Sequence, residues 1–144
     1  MIETFREFTF EAAHKTPPYS GLHGHSFLVR IFLRGEPHPE YGWTHNQYEV
    51  EPVVDAVRRD LDQRYLNDVP GLAVPSLENV ARWVYERFAA LLPGLHRVTI
   101  QRGMPGQIEG CTYAPLGFPE TELAQTTIAQ ANPVQAKPAQ DILA

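Results

Sequence analysis

Polar and apolar residues alternate almost from the start of the chain. Phe8, Phe10, Ala12 and His14 share one parity, and Glu7, Thr9, Glu11 and Ala13 share the other. That period of two predicts a half-buried strand over residues 2–14 with His14 on its apolar face. The same alternation resumes at His23, His25, Phe27, Val29, Ile31 and Leu33 and stops at Gly35-Glu36-Pro37. Between Pro37 and Asn46 the prolines, Gly42 and mixed polar residues read as a loop. Helical spacing then takes over: Val50, Val53, Val54, Val57 and Leu61 fall on one stripe, with Pro52 suited to a first turn and an end expected near 65–68, ahead of Pro70-Gly71. A second helix is predicted from its candidate N-cap Ser76, with Glu78 in the first turn. Its buried face is Leu77, Val80, Ala81, Val84, Phe88 and Leu91, and its stop is Pro93-Gly94. Short strands at 98–100 and 108–115 flank the turn Gly103-Met104-Pro105-Gly106. The expected order is strand, strand, helix, helix, strand, strand.

The alternation also places chemistry. His23 and His25 sit on one face of a strand with only Gly24 between them, and His14 closes the preceding strand. If residues 15–22 form a hairpin turn, three imidazoles converge at one end of the pair. Three nitrogen ligands with a fourth position open is the ligand count of a catalytic zinc site. The plainer alternative is a set of solvated histidines on an exposed strand. A third histidine, the lack of charge between the first two, and apolar flanks favour the metal.

Composition narrows the partner. The chain has 144 residues and a formal charge of −5. One domain of that length buries roughly two-thirds of the surface it would expose unfolded. No cluster of Lys and Arg offers a footprint for nucleic acid or an anionic membrane, which leaves a small molecule. Cys111 is the single cysteine and cannot form an intramolecular disulfide. It reads as a small buried residue rather than a nucleophile. Charges within the first seven residues argue against a signal peptide, and no window approaches the ~20 apolar residues of a membrane span, so the cytoplasm is expected. From 119 onward Ala, Gln, Thr and Pro dominate and aromatics vanish. The chain is therefore divided into a domain at 1–118 and a tail at 119–144.

Five segments carry a resemblance. They are Phe10-Glu11-Ala12-Ala13-His14, Leu22-His23-Gly24-His25-Ser26-Phe27, Gly42-Trp43, Leu61-Asp62-Gln63-Arg64-Tyr65-Leu66-Asn67-Asp68 and Ser76-Leu77-Glu78-Asn79-Val80-Ala81. Over about residues 3–116, in order and at near-family spacing, the chain resembles the 6-pyruvoyl tetrahydropterin synthase family, including its 6-carboxytetrahydropterin synthase branch. The resemblance implies an α+β tunnelling fold, an antiparallel four-stranded sheet with two helices on one face. It also implies subunits closed into a barrel, usually a hexamer of two trimers, and His14, His23 and His25 as ligands of Zn2+.

The sequence departs from the family pattern elsewhere. Tyr19 stands where the family has a cysteine base, Asn46 where an Asp follows the Gly-Trp segment, Gln63 where a His follows Asp62, and Arg102 where a glutamate anchors the pterin ring. Tyr, with a reference pKa of about 10, is a poor base near neutral pH, and Gln carries no proton through a cycle. Arg offers only donors and the opposite charge, so an anionic or acceptor-rich ligand is expected. Tyr19, His45 and Asp62 are the candidate proton carriers; Arg102, Asn46, Gln63 and Glu78 are the candidate substrate contacts. His38 and His96 have no evident partner in the sequence, and Trp43 and Trp83 read as core or interface. The expected function is a zinc-dependent lyase or isomerase with an altered substrate. One alternative is a non-catalytic zinc-containing binding or assembly protein; another is a true family synthase with relocated catalytic residues.

Overall fold

The computed structural model describes residues 1–118, and the expected tail lies outside the described residues. β1 (Ile2–Thr16) and β2 (Ser20–Gly35) form a long antiparallel hairpin in which Phe10 faces Phe27 and His14 faces His23. α1 (Gln47–Leu61), β3 (Arg64–Tyr65), a 3-10 turn at Leu66–Asp68 and α2 (Leu77–Ala89) follow, and β4 (Leu95–Arg102) and β5 (Glu109–Tyr113) complete the chain. The sheet runs β3-β1-β2-β4-β5.

Three expectations need correction. The sheet has five strands, not four, and it is mixed: two-residue β3 pairs parallel with β1 through Ala12–Arg64 and Ala13–Tyr65, while every other pairing is antiparallel. The cause lies at the end of α1, which stops at Leu61 rather than near 65–68. Asp62 accepts a hydrogen bond from the Glu11 backbone N–H at 2.9 Å, and the Gln63 N–H donates to the Glu11 carbonyl at 2.6 Å. The helix ends at its cap residue Asp62, whose backbone is extended, and Gln63 at φ 56° then turns left-handed and lays the next residues beside β1. The third correction is the start of α1. Asn46 caps it, its side chain accepting from Tyr48 N, so Pro52 falls inside the helix instead of opening it.

The alternation resolves as expected into a core face and an outer face. Phe8, Phe10, Phe27, Val29, Ile31 and Leu33 are buried against Val50, Val54, Val57 and Leu61 of α1 and Val80, Val84 and Phe88 of α2. Phe10 and Phe27 stack at 4.8 Å, and burying each such ring is worth about 1.5–3 kcal/mol. On the outer face, Glu3 reaches Arg34, Glu7 reaches Arg30 and Glu11 reaches Ser26, each across its register partner. Arg6 ties β1 to α1 through Glu51. Trp83 is buried and donates to the Pro70 carbonyl, whereas Trp43 is exposed and stacks on Tyr41. Among the described residues, no helix is long and apolar enough to cross a membrane.

Candidate metal centre

The core stripe of the hairpin ends in imidazole. His14 is 1% exposed, and its ring lies edge-on to those of His23 and His25 with centroids 4.6 and 5.1 Å away. Phe27 closes the bottom of the group, 5.9 Å from His14 and 5.5 Å from His25. One nitrogen from each histidine lies within 4.8 Å of the others.

Backbone carbonyls fix which nitrogens face inward. His14 Nδ1 is 2.9 Å from the Pro75 carbonyl, just ahead of the α2 cap, and His23 Nδ1 is 2.7 Å from the Gly21 carbonyl. A carbonyl only accepts, so both Nδ1 atoms carry the proton and both Nε2 atoms present lone pairs. Those two Nε2 atoms are 3.1 Å apart. With neutral rings no proton lies between them, and the arrangement is repulsive unless a cation is shared. His25 Nε2 is buried and has no hydrogen-bond partner among the described residues, a cost that a ligand to that nitrogen would remove. Ligands of a tetrahedral zinc with bonds of about 2.0–2.1 Å stand about 3.3 Å apart, close to the His14–His23 separation. The three-imidazole donor set and the His14–His23 pair, in tautomer and spacing, fit zinc.

Burial and nearby charge favour the neutral form of His14 and His25. Burial first, then Arg102, His14 and His23, push the His25 pKa down to about 4 against a weaker upward pull from Glu109. Burial likewise lowers His14; the Pro75 hydrogen bond opposes this, and His23 and Arg102 add to it. A neutral imidazole is the form that binds metal.

The other candidate residues are dispersed. Arg102 comes closest: its NH1 is 3.2 Å from His14 Nε2 and its Nε donates to Glu109 Oε1 at 2.6 Å. Gln63 lines a cleft of about 580 Å³ with Glu11, His25, Ser26, Arg64 and Tyr65. Tyr19 stands in the β1–β2 turn, 92% exposed. Asp62 is committed to Glu11 N and to Arg58 NH2 at 3.2 Å, and Asn46 to its cap. Glu78 is exposed in the first turn of α2, where it adds to burial in raising the Cys111 thiol. His45 bonds the Pro93 carbonyl at 2.8 Å and packs beside Gly35, ten residues along β2 from His25 or about 33 Å of strand. Within one chain it does not join the cluster. Of the histidines without an evident partner, His96 lies 2.5 Å from Glu3 and His38 stacks on Tyr41.

Two contributors escaped the sequence reading. Pro75 acts through its backbone, which no residue type announces. Glu109 was detectable in principle as an opposite charge across the 103–106 turn from Arg102.

Known proteins resemble the chain over most of its length. The family model for 6-pyruvoyl tetrahydropterin synthase matches residues 3–113. The 6-carboxy-5,6,7,8-tetrahydropterin synthase of Synechocystis sp. is 35% identical over 124 residues, 79% of this chain and 91% of that one. The dihydroneopterin monophosphate aldolase of Pyrococcus furiosus is 35% identical over 100 residues, 66% and 84% of the two chains. The structure of Caenorhabditis elegans 6-pyruvoyl tetrahydropterin synthase matches with a TM-score of 0.67 at 24% identity, covering 78% of this chain and 94% of that one, a likeness of fold.

Proposed function

Because the chain belongs to the 6-pyruvoyl tetrahydropterin synthase family, we propose that it is a zinc-dependent lyase acting on a pterin-like or other small anionic heterocycle. The observation that carries this reading is the inward-facing nitrogen set. His14 and His23 are pinned through Nδ1 by backbone carbonyls, and His25 Nε2 is buried without a partner. Three protein ligands leave a position for substrate, whereas structural zinc normally takes four. Zinc bound there would act as a Lewis acid toward a substrate oxygen.

The chain's own residues supply the rest. The Pro75 and Gly21 carbonyls hold the two ring planes, which preserves the tautomer and raises ligand basicity. Arg102 supplies a cation beside the histidines, suited to a carboxylate or phosphate and unsuited to the N–H edge of a pterin ring. Losing a buried charged hydrogen bond to that edge costs about 2–5 kcal/mol. Turnover of dihydroneopterin triphosphate is therefore expected to be far below that of a family synthase.

A second reading, a non-catalytic zinc-holding binder, draws on one observation. Tyr19 and His45 stand apart from the cluster, and Asp62 is already paired.

Elemental analysis of the purified protein and of His14→Ala, His23→Ala and His25→Ala tests the metal. About one zinc per chain in the parent and loss in the variants is expected; full retention in all three removes the site. Assay of the zinc-loaded protein with the pterin triphosphate, and mass spectrometry of small molecules released on denaturation, test the substrate. Turnover at synthase level would overturn the reading of Arg102.

A further inference from the structure

We propose that Arg102 couples metal binding to anion binding at this site, by occupying the lone pair of His14 that the metal needs. The inference rests on the three-histidine metal reading and goes beyond it. NH1 of Arg102 lies 3.2 Å from His14 Nε2, while Nδ1 of the same ring is held by the Pro75 carbonyl. Nε2 is thus a bare acceptor with one in-plane lone pair, and Arg102 takes it. A metal ion and a guanidinium N–H cannot both use that pair.

The second half of the device is Glu109. Its carboxylate holds Nε of Arg102 at 2.6 Å from the neighbouring strand, β5, where it is the register partner of Arg102. When a cation takes His14 Nε2, NH1 is released but the guanidinium stays tethered through Nε. The guanidinium, its charge only partly offset by solvent-exposed Glu109, then remains beside a divalent ion with at least one donor newly unpaired. That state is costly unless an oxyanion accepts from Arg102 and offsets the two like charges. A substrate carboxylate or phosphate does both. By reciprocity of linked equilibria, an oxyanion then strengthens metal binding as much as the metal strengthens oxyanion binding. The metal-free site would stay closed by Arg102, and the loaded site would favour substrates that bring an anionic group.

The test is zinc affinity by chelator competition on the full chain. Measurements are made in chloride, in sulfate and in acetate at equal ionic strength, for the parent, Arg102→Met and Arg102→Gln. Removing a charged donor from His14 should tighten zinc in chloride by about tenfold in both variants. In the parent, sulfate or acetate should tighten zinc several-fold, the larger response telling a phosphate-like from a carboxylate-like preference. In the variants the oxyanion response should vanish. Gln retains polarity without charge, so it serves if Met disturbs the strand, with far-UV circular dichroism as the check on folding. Folded variants that bind zinc no tighter than the parent overturn the proposal, as does a parent indifferent to both oxyanions or an anion response that survives without Arg102. The three His→Ala variants separate the premises: if all three keep full zinc in chloride, the metal site itself is wrong, whereas zinc loss there with no effect at Arg102 rejects the coupling alone.

Discussion

His25 shows how a single side chain ties stability to proton concentration. Burial, with Arg102, His14 and His23 as neighbours, lowers its pKa from 6.5 to about 4 in the folded chain. Below pH 6.5 the unfolded chain takes up a proton there and the folded chain does not. Stability is therefore full above pH 6.5 and is lost as the pH falls toward 4. In metal-free protein, denaturant unfolding across that window should give a shallower pH slope for His25→Gln than for the parent. Identical slopes would mean that His25 titrates as it does in the unfolded chain. Zinc would steepen the parent's slope further, since protons and metal compete for the same nitrogens.

At the scale of elements, the two helix caps separate fold from site. Asn46 caps α1 and Ser76 caps α2, and replacing either by Ala should cost about 1 kcal/mol. Only Ser76 adjoins Pro75, whose carbonyl orients His14. Ser76→Ala should therefore also weaken zinc binding, while Asn46→Ala should leave it unchanged; equal zinc affinity in the two variants would detach the start of α2 from the metal site. The same elements show what the sequence made legible. Period-two alternation located β1, β2 and the converging histidines, because a strand's side-chain direction is a local property. Asn46 and Gln63 also have backbone roles that the sequence did not announce, for a common reason. Their side-chain types suggested ligand contacts, and the structure adds that Asn46 caps the open N–H groups of α1 and that Gln63 turns the backbone left-handed. The β3 pairing was hidden because two residues carry no period, and the partner of Arg64 is Ala12, more than fifty positions away. Pro75 reaches His14 through tertiary proximity, which no spacing rule encodes.

At the scale of the whole molecule, the sheet has an unresolved edge. β5 pairs on one side with β4, and among the described residues no strand lies on its other side. A row of open N–H and C=O groups invites another strand. A homo-oligomer is expected, a hexamer of two trimers if the chain follows the arrangement its resemblance implies; sedimentation equilibrium showing only monomer at micromolar concentration would contradict any closed assembly. The β1–β2 hairpin carries a different consequence, one of timing. His14 and His25 are separated by ten residues, so bringing the ligands together closes a short loop at small entropic cost. The orienting carbonyl of Pro75 lies sixty-one positions from His14. A nascent chain can therefore gather its three imidazoles before either helix exists, while the ring that Pro75 fixes stays free to rotate until α2 docks.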